Sequence, residues 1–179
     1  MSAARVRRAS EADSAAIGAL HVAAWRETYA GLLSQAEIEA MSVAARTAQW
    51  RAQIGAGTAR GVYVAEEQDG IIGFGACTSE RDLALMTAGY TGEVPALYIL
   101  RRGQGRGAGR LLMRAMARRL IAEGDRTMAL WVLSTNAPAR GFYERLGGKI
   151  VAERGSGHDA ETAYGWRDLS ALTISTDSD

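Results

Sequence analysis

Four glycines alternate with other residues just before a helical pattern, in the stretch RRGQGRGAGRLLM that begins at Arg101. They are Gly103, Gly105, Gly107 and Gly109. Each glycine costs roughly 1 kcal/mol relative to alanine where its segment is helical. Chains place glycines in this way where another group must approach the backbone closely. We therefore expect this loop to constrain both the fold and the binding chemistry.

The pattern of apolar residues before the loop predicts an α+β domain that occupies residues 1–179. After a short first strand, helical periodicity runs to about Tyr29 and then again to about Ile54. The strand-like runs GVYVAEE and GIIGFGACT follow and meet at Asp69-Gly70, a dipeptide typical of hairpin turns.

A strand that contains a proline leads into the glycine loop. In this run, EVPALYIL, Pro95 predicts a bulge or an unpaired edge position because proline has no amide hydrogen. Residues 79–92 before it are predicted to be irregular. Two further helices and three further strands complete a mixed sheet of about six to seven strands, flanked by about four helices. We expect the last few residues to be disordered.

Composition excludes several classes of protein. Hydrophobic residues make up 47% and charged residues 23%, as in ordinary globular domains. The net charge of +1 gives no electrostatic reason for nucleic acid as a partner, and no apolar run is long enough to cross a membrane. No apolar stretch follows the first arginines, which argues against a secretory signal, and Cys77 is the only cysteine. We expect a cytoplasmic protein without membrane partners, and a homodimer is compatible with the sequence.

Several interpretations of the glycine loop compete. A Walker A loop requires G-x-x-x-x-G-K-[ST], and no such lysine and hydroxyl pair follows here. The dinucleotide pattern G-x-G-x-x-G/A matches at Gly103, Gly105 and Ala108, but the next strand should end in an acidic residue and instead reaches Asn136. A turn without a ligand would leave four glycines and the neighbouring arginines unexplained.

The remaining interpretation is a pyrophosphate cradle at a helix N-terminus. Backbone N–H groups there point outward and the helix dipole favours an anion. Gly107 and Gly109 would let the backbone approach the phosphates, while Arg106 and Arg110 add positive charge. No acidic residue lies between Glu93 and the next acid at position 123, so the whole segment is locally basic.

Two blocks of this sequence resemble the GCN5-related N-acetyltransferase (GNAT) superfamily. The residues from Gln104 to Gly109 fit the pattern Q/R-x-x-G-x-G/A after the strand LYIL, as in the acetyl-CoA site of that superfamily. Downstream, WVLSTNAPARGFYERLGGKI is similar to its next strand and to its A-R-x-F-Y-x-x-x-G segment. The spacing of the blocks and the order of elements agree over essentially the whole chain.

The resemblance implies acetyl-CoA as co-substrate. No metal is expected, because no Cys/His cluster has the spacing of a metal site. Backbone groups of the strand before the loop would contact the pantetheine arm and the thioester, and the loop would hold the pyrophosphate. The residues that would contact acetyl-CoA are Leu97, Tyr98, Ile99, Gln104, Gly105, Arg106, Gly107, Ala108, Gly109, Arg110 and Asn136. Asn136 would also cap the helix that follows it.

The implied reaction is direct attack of an amine on the thioester within a ternary complex. Tyr143 matches the usual general acid of the superfamily, which donates a hydrogen bond to the departing thiolate. Glu93 opens the strand that leads to the donor site and is the first candidate for a base, directly or through a water. Glu66 and Glu67 on an earlier strand are alternatives. The histidines, His21 and one other, receive no catalytic role.

The acceptor site is implied to lie on the first two helices and the irregular segment, which places Trp25, Tyr29 and residues 83–90 there. Trp25 and Tyr29 are spaced i, i+4 on one helix face and could hold an amine by cation–π contact or simply pack. We expect a primary amine of a small molecule, an amino acid or a polyamine as acceptor. A protein or peptide N-terminus, and a CoA-binding sensor without catalysis, are the alternatives.

Overall fold

The computed structural model describes residues 4–30 and 34–174. The strands are β1 (Arg5–Arg8), β2 (Gly61–Glu67), β3 (Gly70–Ser79), β4 (Gly92–Ile99), β5 (Met128–Leu133), β6 (Lys149–Arg154) and β7 (Glu161–Trp166). The helices are α1 (Ser14–Tyr29), α2 (Gln35–Glu39), α3 (Val43–Gly55), α4 (Leu83–Thr87), α5 (Ala108–Ala122) and α6 (Ala137–Arg145). The fold is therefore α+β, as the sequence predicts.

The strands form one mixed sheet in the order β1-β2-β3-β4-β5-β7-β6. Strands β4 and β5 run parallel, and the other described pairs are antiparallel. The hairpin predicted at Asp69-Gly70 joins β2 to β3. The seven strands agree with the sequence prediction.

Helices cover both faces of this sheet. Helix α5 packs against β1 to β4 on one face, with Leu112, Met116 and Leu120 fully buried. Helices α1 and α3 cover the opposite face, where Ile17 and Phe74 are fully buried. Burying each such side chain stabilises the fold by roughly 1.5–3 kcal/mol. The middle of the sheet is thus held from both sides.

The structure contains more helices than the sequence predicts. The second predicted helix is divided into α2 and α3, because the Ser42 hydroxyl accepts a hydrogen bond from the Ala45 amide at 3.2 Å and starts a new helix. The segment predicted to be irregular contains α4, which begins where the Asp82 carboxylate accepts from the Ala84 and Leu85 amides. The prediction of disorder for the last few residues concerns 175–179, which lie outside the described residues.

A bulge in β4 opens the sheet. Ala96 pairs with Ala76 and Glu93 pairs with Thr78, so β4 advances three residues while β3 advances two. The extra residue lies at Val94–Pro95, which confirms the bulge predicted from Pro95. In the described chain, β4 and β5 pair only through Gly92 with Met128 and Glu93 with Ala129. Beyond these residues the two strands diverge and leave a gap, which we call the β4–β5 gap.

Candidate active site

Backbone groups of β4 line the β4–β5 gap. The Leu100 amide donates to the Ile72 carbonyl at 2.9 Å, so residue 100 directs its polar groups toward β3. Neighbouring residues of a strand direct their backbone groups to opposite sides. Tyr98 therefore points its backbone toward β3, while Leu97 and Ile99 point theirs into the gap. The side chain of Tyr98 lines the cavity described below, and its predicted backbone contact to acetyl-CoA stays a prediction.

The glycine loop continues directly from β4 to the N-terminus of α5. The Gln104 side-chain amide donates to the Ile99 carbonyl at 3.0 Å and ties the loop to the strand. Gly105 and Gly107 have φ angles of 73° and 84°, in the left-handed region that favours glycine. No atom lies within 4 Å of the position that a Cβ would take at either residue.

The start of α5 offers amides to an anion. The first helical hydrogen bond runs from the Leu111 amide to the Gly107 carbonyl at 3.0 Å. The amides of Ala108 and Gly109 come earlier in the helix and have no helical carbonyl to donate to. Together with the open space in front of Gly105 and Gly107, they form a cradle that suits a phosphate group.

Gly109 has a packing role in addition to the one predicted. A Cβ on this buried residue would lie 3.0 Å from Phe142 Cζ and 3.1 Å from Ile99 Cδ1. Gly103 is similar, because its Cβ would lie 3.0 Å from Ile72 Cδ1. These two glycines let α5 and the loop pack closely against α6 and the sheet. Gly105 and Gly107 instead adopt the left-handed backbone conformation that the loop requires.

Positive charge surrounds the cradle, but part of it is paired. The Arg106 guanidinium lies 3.3 Å from a carboxylate oxygen of Glu67. Arg110 is exposed in the first turn of α5. The Arg101 amide donates to the Glu27 carboxylate at 2.7 Å, which connects the loop to the end of α1. The loop is therefore anchored from α1 as well as from β4.

Three phenols meet at the β4–β5 gap, each from a different element. Tyr143 of α6 is 7% exposed, and burial, with Tyr29 close by, raises the pKa of its phenol. The phenols of Tyr29 and Tyr98 lie close enough to interact, and burial raises the pKa of both. Each phenol therefore keeps its proton at neutral pH. The site places the predicted general acid, Tyr143, beside Tyr29 and Tyr98.

Asn136 is the N-cap of α6, as predicted. Its side-chain oxygen accepts from the Ala139 amide at 3.3 Å. Pro138 occupies the first turn, where a missing amide hydrogen is tolerated. The cap fixes the direction of the helix that carries Tyr143.

A cavity of about 510 Å³ lies on the α1 and α3 face of the sheet. Its lining residues are His21, Trp25, Arg46, Gln49, Trp50, Gln53, Thr58, Ala59, Thr78, Arg81, Pro95, Ala96 and Tyr98. Pro95 and Tyr98 connect it to the bulge and to the phenols. The predicted acceptor residue Trp25 lies in this lining, and its ring centroid is 5.0 Å from that of Tyr29.

Residues 83–90, which the resemblance places at the acceptor site, lie elsewhere. Helix α4 packs against the sheet through Leu85, in a cluster with Ala129 of β5 and Ala163 of β7. Leu83 and Met86 of the same helix point to solvent. The cavity lining contains no residue of this segment.

His21 lies in the cavity wall, although its sequence position gave it no catalytic role. It is 7% exposed, and its Nδ1 accepts a hydrogen bond from the Trp50 indole at 3.0 Å. Burial, followed by the smaller effect of the Arg46 charge, lowers the pKa of the imidazole to about 4. His21 is therefore neutral near pH 7. Its i, i+4 spacing from Trp25 on α1 was a signal that both residues face one side.

Glu93 lies beside the cavity and is paired with Arg81. Both carboxylate oxygens accept from the Arg81 guanidinium at 2.7 Å. The Glu93 side chain is 13% exposed and that of Arg81 is 67% exposed. The cavity-lining residue Thr78 lies opposite Glu93 in the sheet. Glu93 thus stays a candidate base in a position next to the cavity.

The alternative bases are placed differently. Glu66 pairs with Arg7 at 3.0 Å and Glu67 pairs with Arg106, and neither lines the cavity. Sequence reasoning missed Glu80, which is 5% exposed and accepts from two backbone amides at 2.9 Å. Burial raises the pKa of its carboxyl group, and the nearby charge of Glu93 contributes in the same direction.

Other kinds of site are not found in the described part of the chain. Residues 4–30 and 34–174 contain no group of three or more His, Cys, Asp and Glu side chains arranged to hold a metal ion. Within the same ranges, no helix has the length and apolar character needed to span a membrane.

A sheet opened at a bulge, with a phosphate cradle at one end of the gap, agrees with the site that the resemblance to the GNAT superfamily implies. The model of the acetyltransferase (GNAT) family matches residues 19–148, about three quarters of the chain. The uncharacterized N-acetyltransferase YuaI of Bacillus subtilis (strain 168) is 31% identical over 175 residues, which cover 93% of this chain and 95% of YuaI. This chain therefore belongs to the GNAT family and is an acetyltransferase.

Solved structures show the same fold. PaiA N-acetyltransferase from Thermoplasma acidophilum, in complex with coenzyme A, has a TM-score of 0.72 at 18% identity and covers 93% of this chain and 100% of its own. YncA from Salmonella typhimurium, with its cofactor acetyl-CoA, has a TM-score of 0.70 at 22% identity and covers 99% of both chains.

Proposed function

We propose that this acetyltransferase transfers an acetyl group from acetyl-CoA to the primary amine of a small molecule. The observation that carries the proposal is the position of the β4–β5 gap. It lies between the cradle at the start of α5 and the cavity of about 510 Å³. A cavity of this size suits a small ligand. Both substrates would meet at the gap, so direct attack in a ternary complex is the mechanism that the site supports.

The residues around the gap fit acetyl-CoA. Ala108 and Gly109 have amides available to a pyrophosphate, and Gly105 and Gly107 leave space in front of the loop. Leu97 and Ile99 direct backbone groups into the gap, where an amide-rich pantetheine arm needs partners. Bound there, acetyl-CoA would supply the activated acyl group, and the protein would supply position and proton transfer.

Proton transfer would be divided between two sides of the gap. Tyr143 carries a proton on a buried phenol, where a departing thiolate needs a hydrogen-bond donor. Glu93 lies on the cavity side and would remove a proton from the acceptor, directly or through a water. Arg81 holds the Glu93 carboxylate in one orientation.

Release of free thiol from acetyl-CoA, measured across a panel of small amines, amino acids, polyamines and short peptides, tests this proposal. We expect turnover with at least one small amine. Tight binding of CoA by calorimetry, without turnover of any acceptor, would favour a sensor. Turnover of peptides alone would favour an acetyltransferase of protein N-termini.

A further inference from the structure

The charges in the cavity wall are all of one sign. Two arginines, Arg46 and Arg81, are among the lining residues, and the described lining contains no aspartate or glutamate. The remaining polar lining residues are uncharged, since burial keeps His21 neutral. A cavity that selected a polyamine would be expected to present carboxylates instead.

Arg46 and Arg81 differ in their partners. Arg81 is neutralised by Glu93 through two hydrogen bonds of 2.7 Å. Arg46 donates to the side-chain oxygen of Gln49 at 2.6 Å and lies 3.2 Å from the sulfur of Met41. Neither partner carries a charge, and no ion pair joins Arg46 to a carboxylate of the described residues.

The charge of Arg46 acts on the interior of the cavity. The Arg46 side chain is half-buried on α3, across the cavity from β4. Burial raises the pKa of Tyr98 and lowers that of His21, and the Arg46 charge adds a lowering effect at both residues. A half-buried guanidinium without an anion presents hydrogen-bond donors that fit a carboxylate.

We propose that the acceptor is an amine that also carries a carboxylate, such as an amino acid. Its carboxylate would bind Arg46 while its amine faces the β4–β5 gap. This inference rests on the proposed function and narrows its substrate class. Gln49, Gln53 and the His21 ring offer neutral polar contacts beside Arg46, and Trp25 and Trp50 offer apolar surface to a side chain. A polyamine would instead place a second cation close to Arg46, which is unfavourable.

Kinetics with matched acceptors test the role of Arg46. Each of L-methionine, L-leucine and L-phenylalanine is compared with its amide and with its decarboxylated amine, and spermidine is added as a polycation. In Arg46→Gln we expect kcat/KM for the amino acids to fall roughly 10- to 100-fold, through KM, because a charge-assisted hydrogen bond is lost. The amides and decarboxylated amines should change less than about threefold.

Arg51→Gln is the matched control. Arg51 lies on the same helix and is exposed, and it is not among the lining residues of the cavity. Arg51→Gln removes the same charge as Arg46→Gln, and we expect it to show wild-type kinetics with every acceptor. Each ratio compares two variants with one acceptor, so differences in amine pKa between acceptors cancel. Melting temperatures and CoA affinities of both variants show whether the fold and the donor site are intact.

Charge reversal gives a second, independent readout. Arg46→Glu should weaken the use of amino acids further and should improve the use of spermidine. Preference of the native enzyme for amides or polyamines, unchanged in Arg46→Gln, would overturn this inference and leave the acetyltransferase proposal standing. Absence of turnover with every acceptor, despite tight CoA binding, would instead overturn the proposed function itself.

Discussion

The Trp50 indole donates a hydrogen bond to Nδ1 of His21 at 3.0 Å, and it joins α3 to α1 across the cavity wall. Because Nδ1 accepts this bond, the proton of the neutral imidazole lies on Nε2. The His21 ring also lies 4.6 Å from that of Tyr98, centroid to centroid. The pair therefore holds α1 and α3 in a fixed relation to β4.

The buried imidazole makes stability depend on pH. Folding lowers the pKa of His21 to about 4 from an ordinary value near 6.5, so the unfolded chain binds the proton more tightly. The stability that folding gains from keeping this imidazole neutral is fully present above pH 6.5 and is lost as the pH falls toward 4. We expect this group to account for at most about 3 kcal/mol of that loss, measured by urea unfolding at several pH values.

His21→Gln should flatten this part of the pH dependence, whatever its effect at pH 7. His158→Gln is the control, because the side chain of His158 is 69% exposed. It should retain the native dependence between pH 4 and 6.5. If the free energy of unfolding depends on pH in the same way in the native protein and in His21→Gln, folding does not lower the pKa of the imidazole.

The cradle can be tested with two alanine substitutions of equal strain. Gly107 and Gly124 have φ angles of 84° and 96°, and no atom lies within 4 Å of the position that a Cβ would take at either residue. Gly107→Ala and Gly124→Ala should each cost about 1 kcal/mol of stability. Only Gly107→Ala should weaken acetyl-CoA binding in calorimetry, because its methyl group enters the space in front of the loop. Equal affinities would rule out the cradle.

Tyr143→Phe removes a hydroxyl and keeps the ring that packs against Phe142 and Trp166. If the phenol assists departure of the thiolate, kcat should fall roughly 10²- to 10⁴-fold while CoA affinity and melting temperature stay near native values. Tyr90→Phe, at a buried tyrosine of another cluster, should leave kcat unchanged. A native kcat in Tyr143→Phe, with chemistry rate-limiting, would reduce Tyr143 to a packing role.

Glu93→Gln keeps the shape of the side chain and removes the charge that pairs with Arg81. An alkylammonium has a pKa near 10, so neutral acceptor is scarcest at low pH and the need for a base is greatest there. We expect the rate of Glu93→Gln, with a saturating amine, to fall most at pH 6 and to recover partly at pH 9. Glu66→Gln, whose carboxylate pairs with Arg7 outside the cavity, should follow the native profile. Superimposable profiles for Glu93→Gln would remove it from the mechanism.

Local chemistry explains which features were predictable from sequence. Pro95 predicted the bulge because a proline cannot donate in a strand, and Asn136 predicted a cap because its side chain can accept from the next turn. Helix α4 was missed because five residues are too few to show periodicity, although Asp82 supplied a readable cap.

Features that depend on packing between distant elements could not be predicted. The reason for Gly109 becomes visible only when Phe142 is placed against it. His21 and Arg46 line the cavity because α1 and α3 pack side by side. The i, i+4 spacing of His21 and Trp25 shows that they share a helix face, but no local pattern shows what that face meets. Glu80 likewise acquires its buried position from the fold.

The bulge at Val94–Pro95 also bears on how two substrates would reach each other. Because Pro95 has no amide hydrogen, no shift of register can give β4 a complete set of donors at this point. The strand pairing of the folded chain therefore already contains the gap. On the proposed function, donor and acceptor would enter an existing passage, from the cradle end and from the cavity side, and neither would have to separate paired strands to reach the other.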